Sequence, residues 1–281
     1  MKYSPSDLQK FGKEHFHSRI LPLLTDISAE AVKNMTVFIE GSASYGFSDD
    51  LSDIDIDYFI HDVDTGTADT IRQIFSAETY WHKSVRVSYG FGGKFWKFDL
   101  LKNDDMINFW AESNPYALYN IQHAVSVWNP ENFLEDFRRK TVFYPDDVFK
   151  KNVRGLWLTM CDSGRYNVIE SLKRNKETEG MIYFHRALEA FLRLIYLLNR
   201  SYYPPTKWLT AGINKLENSF GISDVLEKIQ KAPDLENKYE LYKMVFARIE
   251  DFLKTGEIIE KECIENYSAV FQKPFTIFNT F

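Results

Sequence analysis

Three aspartates at alternate positions, Asp53, Asp55 and Asp57, are set among Ile54, Ile56 and Tyr58. Side chains two apart on an extended strand point the same way, so the acids share one face and the apolar residues the other. Carboxylates crowded together raise one another's pKa, a costly arrangement unless a cation relieves the repulsion. Hard oxygen ligands of this kind suit magnesium, which takes one or two protein carboxylates and completes its shell with water and substrate phosphates. Upstream stands Gly41-Ser42, directly after the apolar run that ends at Glu40. Glycine allows close backbone approach, and a serine hydroxyl and amide at a helix start suit phosphate oxygens. Together these residues could hold a polyphosphate against divalent ions.

The elements that must position them follow from hydrophobic period. Ser4-Pro5 predicts a helix start running toward Leu24, since serine caps and proline suits the first turn. Thr36 to Glu40 reads as a short strand, Ile54 to Ile60 as a strand with one face in the core, and Ala68 to Glu78 as a helix. Val85 to Phe91 and Phe95 to Leu101, separated by Gly92-Gly93-Lys94, read as a hairpin. Beyond Tyr144-Pro145 the pattern turns helical, with helices expected over 148–158, 164–174, 181–199, 207–220 and 235–254. Residues 187–198 are apolar on most faces, which places them centrally in a bundle. The expected fold class is α+β: residues 1–144 a catalytic domain with a small mixed sheet, 145–281 an all-α domain. The apolar ending, Phe275 to Phe281, is expected to dock on the body.

Composition narrows the function classes. A chain of 281 residues that is 44% hydrophobic can bury a large core. A net charge of -6 disfavours an extended nucleic-acid surface. Cys161 and Cys263 are too far apart for a zinc knuckle or a redox pair, so buried thiols are expected. Without a signal-peptide core or an apolar run of membrane-spanning length, a cytoplasmic location is the expectation.

Gly41-Ser42, a gap over 43–52, then Ser52-Asp53-Ile54-Asp55-Ile56, resembles the signature of the DNA polymerase beta-like nucleotidyltransferase superfamily. The resemblance implies a small mixed sheet, phosphate contacts at Gly41, Ser42 and Ser52, and metal ligation by Asp53 and Asp55. It also implies a third acid on a neighbouring strand. Asp99 matches that position and is preferred, because an acid from a second strand approaches the metals from another side; Asp57 competes with it. The run from Leu198 to Leu209 resembles a motif in an uncharacterised family of bacterial nucleotidyltransferases, related in architecture to the aminoglycoside enzymes, whose helical domain helps form the substrate cleft. Within it Lys207, after Pro204-Pro205, is the candidate for added phosphate charge compensation.

The function so implied is transfer of a nucleoside monophosphate, AMP from ATP by default, to a hydroxyl of a small-molecule acceptor. Two Mg2+ ions would assist, with release of pyrophosphate. The alternatives are a nucleotide-binding regulatory or antitoxin-like module, and nucleotidylation of a protein or RNA acceptor. Gly90 to Lys94 lacks the Ser/Thr and helix of a phosphate loop and reads as a turn. Structural or surface roles are expected for His15, His17, His61, His82 and His123, and an ordinary helical pairing for His185-Arg186 with Glu189. Trp208 could stack on a base or simply pack.

Overall fold

Ser4 begins the first helix as expected: its hydroxyl accepts from the Asp7 amide at 3.2 Å, and Asp7 Oδ2 accepts from the Ser4 amide at 2.9 Å. The structure is a computed structural model and describes residues 3–60, 63–76, 80–82, 85–91 and 115–277. Helix α1 (Pro5–His15) runs through a π turn (Phe16–Ile20) into α2 (Leu21–Ile27). The wider turn directly precedes Leu21-Pro22, where proline removes an amide donor. Ser28 then caps the short α3 (Ala29–Lys33) through the Ala31 amide.

The strands are β1 (Met35–Glu40), β2 (Ile54–Ile60), β3 (Tyr80–His82), β4 (Val85–Phe91) and β5 (Val125–Trp128), in the spatial order β3-β4-β2-β1-β5. The sheet is mixed: β2 and β4 are parallel, and the other neighbours antiparallel. Met35, Val37 and Ile39 of β1 join Ile54, Ile56 and Tyr58 of β2 in a core that also takes Leu8, Phe16, Ile20 and Leu24. Gly12 lets α1 lie close, since a Cβ there would come within 2.8 Å of Ile39 Cδ1. On the other face Phe38 stacks on Phe59 at 5.3 Å. That face therefore has an apolar end and, toward Glu40 and Asp55, an acidic one.

Helices α4 (Gly41–Tyr45) and α5 (Thr65–Ser76) follow β1 and β2, and α6 (Pro115–His123) and α7 (Phe133–Lys140) flank β5. Among the described residues β4 finds its antiparallel partner in β3, a strand the sequence pattern did not reveal. The expected second hairpin arm, 95–101, lies outside the described residues.

The helical half contains α8 (Asp146–Thr159), a π turn (Met160–Asn167) and α9 (Val168–Lys173), which form one continuous path where two helices were expected. Long helices α10 (Glu177–Leu198) and α12 (Leu235–Thr255) pack with Trp157, Phe184, Phe191 and Tyr242 in the core, and residues 191–197 are wholly buried. The expected helix over 207–220 is replaced by two 3-10 turns, Thr206–Trp208 and Ile213–Lys215. Side chains of α10 and its cap take the backbone groups a helix would use. Tyr196 Oη donates to the Leu209 carbonyl at 2.8 Å; the Asn199 carboxamide accepts from the Asn218 amide and donates to its carbonyl. Left-handed Phe220 and Gly221 then lead into α11 (Ile222–Lys231), and α13 (Lys261–Glu265) comes last.

The chain ends docked as far as Thr276, whose hydroxyl meets Asn152 Oδ1 at 2.7 Å. Cys161 and Cys263 are buried free thiols. Among the described residues no helix is long and apolar enough to cross a membrane. Contacts divide the chain into two units, Met1–Trp110 with Ala117–Val142, and Ala111–Tyr116 with Phe143–Phe281. The class is α+β, with the mixed sheet in the first unit and the helical bundle in the second.

Candidate functional site

The acidic face is assembled by strand register. In the antiparallel pairing of β1 with β2, Glu40 lies opposite Asp55 and Phe38 opposite Asp57. Gly41 follows at a left-handed φ of +69°, a conformation that favours glycine. A Cβ on Gly41 would come within 2.6 Å of Asp55 Oδ2, so the corner is packed directly on the carboxylate. Ser42, the second residue of the single-turn α4, is buried; the Phe47 amide donates to its carbonyl at 3.0 Å. A helix this short contributes little dipole, so the corner's distinctive property is close backbone approach.

Ser52 is engaged in the turn before β2. Its hydroxyl donates to Asp49 Oδ1 at 3.0 Å and accepts from the Asp49 amide at 2.9 Å. Asp53, next in the chain, accepts from Arg86 Nε at 2.9 Å and from Nη2, with Ser88 Oγ at 3.5 Å. The pair is largely solvent-exposed and so of modest strength. It gives Asp53 a cationic partner from β4 that a metal ion would have to displace.

Deeper on the same face, burial raises the pKa of Glu40 and the charge of Asp57 raises it further. Asp57 is raised likewise, by burial first and by Asp55 second. The two share a hydrogen bond, which requires a proton between them. Asn120 Nδ2 donates to Glu40 Oε2 at 2.8 Å, while Tyr45 Oη donates to Asn120 Oδ1. A polar chain thus runs from α4 through α6 to the acidic face.

Of the residues singled out from sequence, Gly41, Ser42, Ser52, Asp53 and Asp55 all lie in the first unit, at the β1 end and the β2 start. Asp99 lies outside the described residues. Lys207 belongs to the second unit, where it is exposed and its Nζ lies 5.8 Å from the centre of the Trp208 ring. Glu40 was missed, although an acid at a strand end beside Gly41-Ser42 was a usable signal. Asn120 carried none, because only the fold brings it back across 80 residues.

Among the described residues no three His, Cys, Asp or Glu side chains are arranged to hold a metal ion. The donor chemistry nevertheless fits a hard divalent cation. Asp53 and Asp55 offer carboxylate oxygens of the kind that suits such an ion, while burial first, and neighbouring carboxylates second, raise the pKa of Glu40 and Asp57 behind them.

Residues 110–209 match the model of a family described as a domain of unknown function, DUF4037. Comparison with curated proteins returns no match. Among solved structures, the chain is similar to the crystal structure of a nucleotidyltransferase-like protein from Exiguobacterium sibiricum. The two are 12% identical with a TM-score of 0.47, over 88% of this chain and 77% of that one.

Proposed function

We propose that this chain is a metal-dependent nucleotidyltransferase that passes the nucleoside monophosphate of a triphosphate, ATP by default, to a hydroxyl of a small-molecule acceptor. The observation that carries the reading is the seating of Gly41 on Asp55: a strand-end corner able to approach phosphate oxygens is packed on the carboxylate pair that suits magnesium. Neither feature is informative alone; their contact is what supports the reading.

Asp53 and Asp55 are the residues to hold Mg2+, with Asp99 or Asp57 as third acid. Bound metal supplies charge neutralisation on the phosphates and a lowered pKa for the acceptor hydroxyl. The chain's own groups do the positioning. Gly41 and Ser42 bring backbone to the phosphates, and the Asn120–Glu40 hydrogen bond fixes the rear of the acidic face.

A second reading, a nucleotide-binding module without turnover, is favoured by the Arg86–Asp53 ion pair, which competes with metal at that carboxylate. Incubation with labelled nucleoside triphosphates, magnesium and a panel of hydroxylated acceptors separates the two. Pyrophosphate release that disappears in Asp53→Asn and Asp55→Asn supports the enzyme; nucleotide binding with no release under any acceptor supports the module.

A further inference from the structure

A second polar cluster lies wholly in the helical unit, around Arg193 on α10. Its guanidinium is 5% exposed and lies 5.6 and 5.4 Å from the ring centres of Tyr116 and Tyr203. Arg193 Nη2 donates to Glu189 Oε1 at 2.5 Å and to the Tyr116 oxygen at 2.6 Å. Glu189 Oε1 also accepts from Thr206 Oγ1 at 2.7 Å.

Counting donors and acceptors shows what is left over. Glu189 is 19% exposed, and all its hydrogen bonds fall on Oε1, so Oε2 is open among the described residues. The Tyr116 oxygen accepts from Arg193, and its own proton has Thr206 Oγ1 at 3.4 Å as its acceptor, beyond ordinary O–H···O range. The open acceptor belongs to the carboxylate, and the open donor to the phenol, whose oxygens Glu189 Oε1 and Tyr116 Oη are both held by Arg193 Nη2. On the inner side, Arg193 Nε–H and the Tyr203 hydroxyl are enclosed without an acceptor.

The geometry points to Glu189 and Tyr116 as a binding site for the hydroxyls of a neutral, polyhydroxylated small molecule. A hydroxyl both donates and accepts, so one hydroxyl of such a molecule donates to Glu189 Oε2 while another accepts from Tyr116 Oη. A free anion meets the Glu189 charge, and a free ammonium meets Arg193 and the neighbouring exposed Lys207. The ion pair holds the carboxylate in place before the ligand arrives, so less ordering is lost on binding. The assignment goes beyond the proposed function, and the binding requires neither nucleotide nor metal.

The test is saturation-transfer NMR on the full chain with methyl glucoside, sorbitol and myo-inositol, without nucleotide or magnesium, followed by titration of whichever binds. At least one polyol is expected to bind, with affinity falling tenfold or more in Glu189→Gln, where a charged acceptor becomes neutral. Since that variant leaves Arg193 without its counter-charge, Tyr116→Phe, which deletes only the hydroxyl, is measured beside it and is expected to weaken binding several-fold. No binding by any of the three, or binding unchanged in Tyr116→Phe, overturns the assignment. Polyol binding without pyrophosphate release in any mixture counts against the enzyme reading alone.

Discussion

Replacing Gly41 by alanine tests the central contact of the proposed site in a single step. The residue sits at a φ of +69°, where a side chain costs roughly 1–2 kcal/mol of backbone strain. The added methyl would also meet Asp55 Oδ2 at 2.6 Å, with Asp55 Cγ at 3.5 Å and Cβ at 3.7 Å behind it. Only the carboxylate tip is too close, so the group is expected to rotate away while the strand stays in register. A native state of ordinary stability, about 5–15 kcal/mol, survives such a loss. Chemistry is expected to suffer more, because misplacing a positioning group by about 1 Å costs on the order of 100-fold in rate. Gly46→Ala is the comparison: it carries similar strain, at φ +74°, at the other end of α4. The assay pairs urea denaturation with pyrophosphate release under magnesium and ATP. Similar stability losses with a turnover deficit confined to Gly41→Ala are expected. Equal turnover in the two variants would show that the contact between corner and carboxylate is structural.

Asp53→Asn is expected to remain folded, since its bond to Arg86 is largely exposed, yet to lose pyrophosphate release; circular dichroism and the release assay check the two halves separately. Asn120→Ala removes the side-chain acceptor of the Tyr45 hydroxyl and one donor to Glu40 in a part-buried setting, and a loss of about 1–3 kcal/mol in unfolding free energy, read by urea denaturation, is expected. In the helical unit, Arg154 donates to both oxygens of Glu260, at 2.8 and 2.6 Å, and holds its pKa down at about 2 from 4.5. A carboxyl lowered on folding stabilises fully above its unfolded value and loses that contribution as pH falls from about 4.5 toward 2. Because Glu260 is about one third exposed, screening reduces the effect to roughly 1–2 kcal/mol. Acid unfolding curves of Glu260→Gln should therefore lie lower at neutral pH and converge on the parent near pH 2.

The limits of the sequence pattern show at particular residues. Helix 207–220 failed because apolar spacing there is compatible with a helix, while Tyr196 and Asn199 bind that segment's backbone and hold it in short turns. The contact division falls after Val142, and Tyr116 goes with the helical unit although Ala117 goes with the sheet, an assignment that periodicity cannot express. The strand Tyr80–His82 is three residues long, too short for alternation to register.

Local periodicity sufficed for the strand that follows Asp53 and carries Asp55 and Asp57, and for the helical character of the second half. Each depends on neighbours a few positions away. Strand register brought Glu40 opposite Asp55, and tertiary packing linked Asn120 to Glu40, Arg86 to Asp53, and Tyr116 to Arg193 and Glu189 on α10. Those contacts join residues up to 80 positions apart, and their geometry is set by sheet pairing and burial, which no window of residues contains.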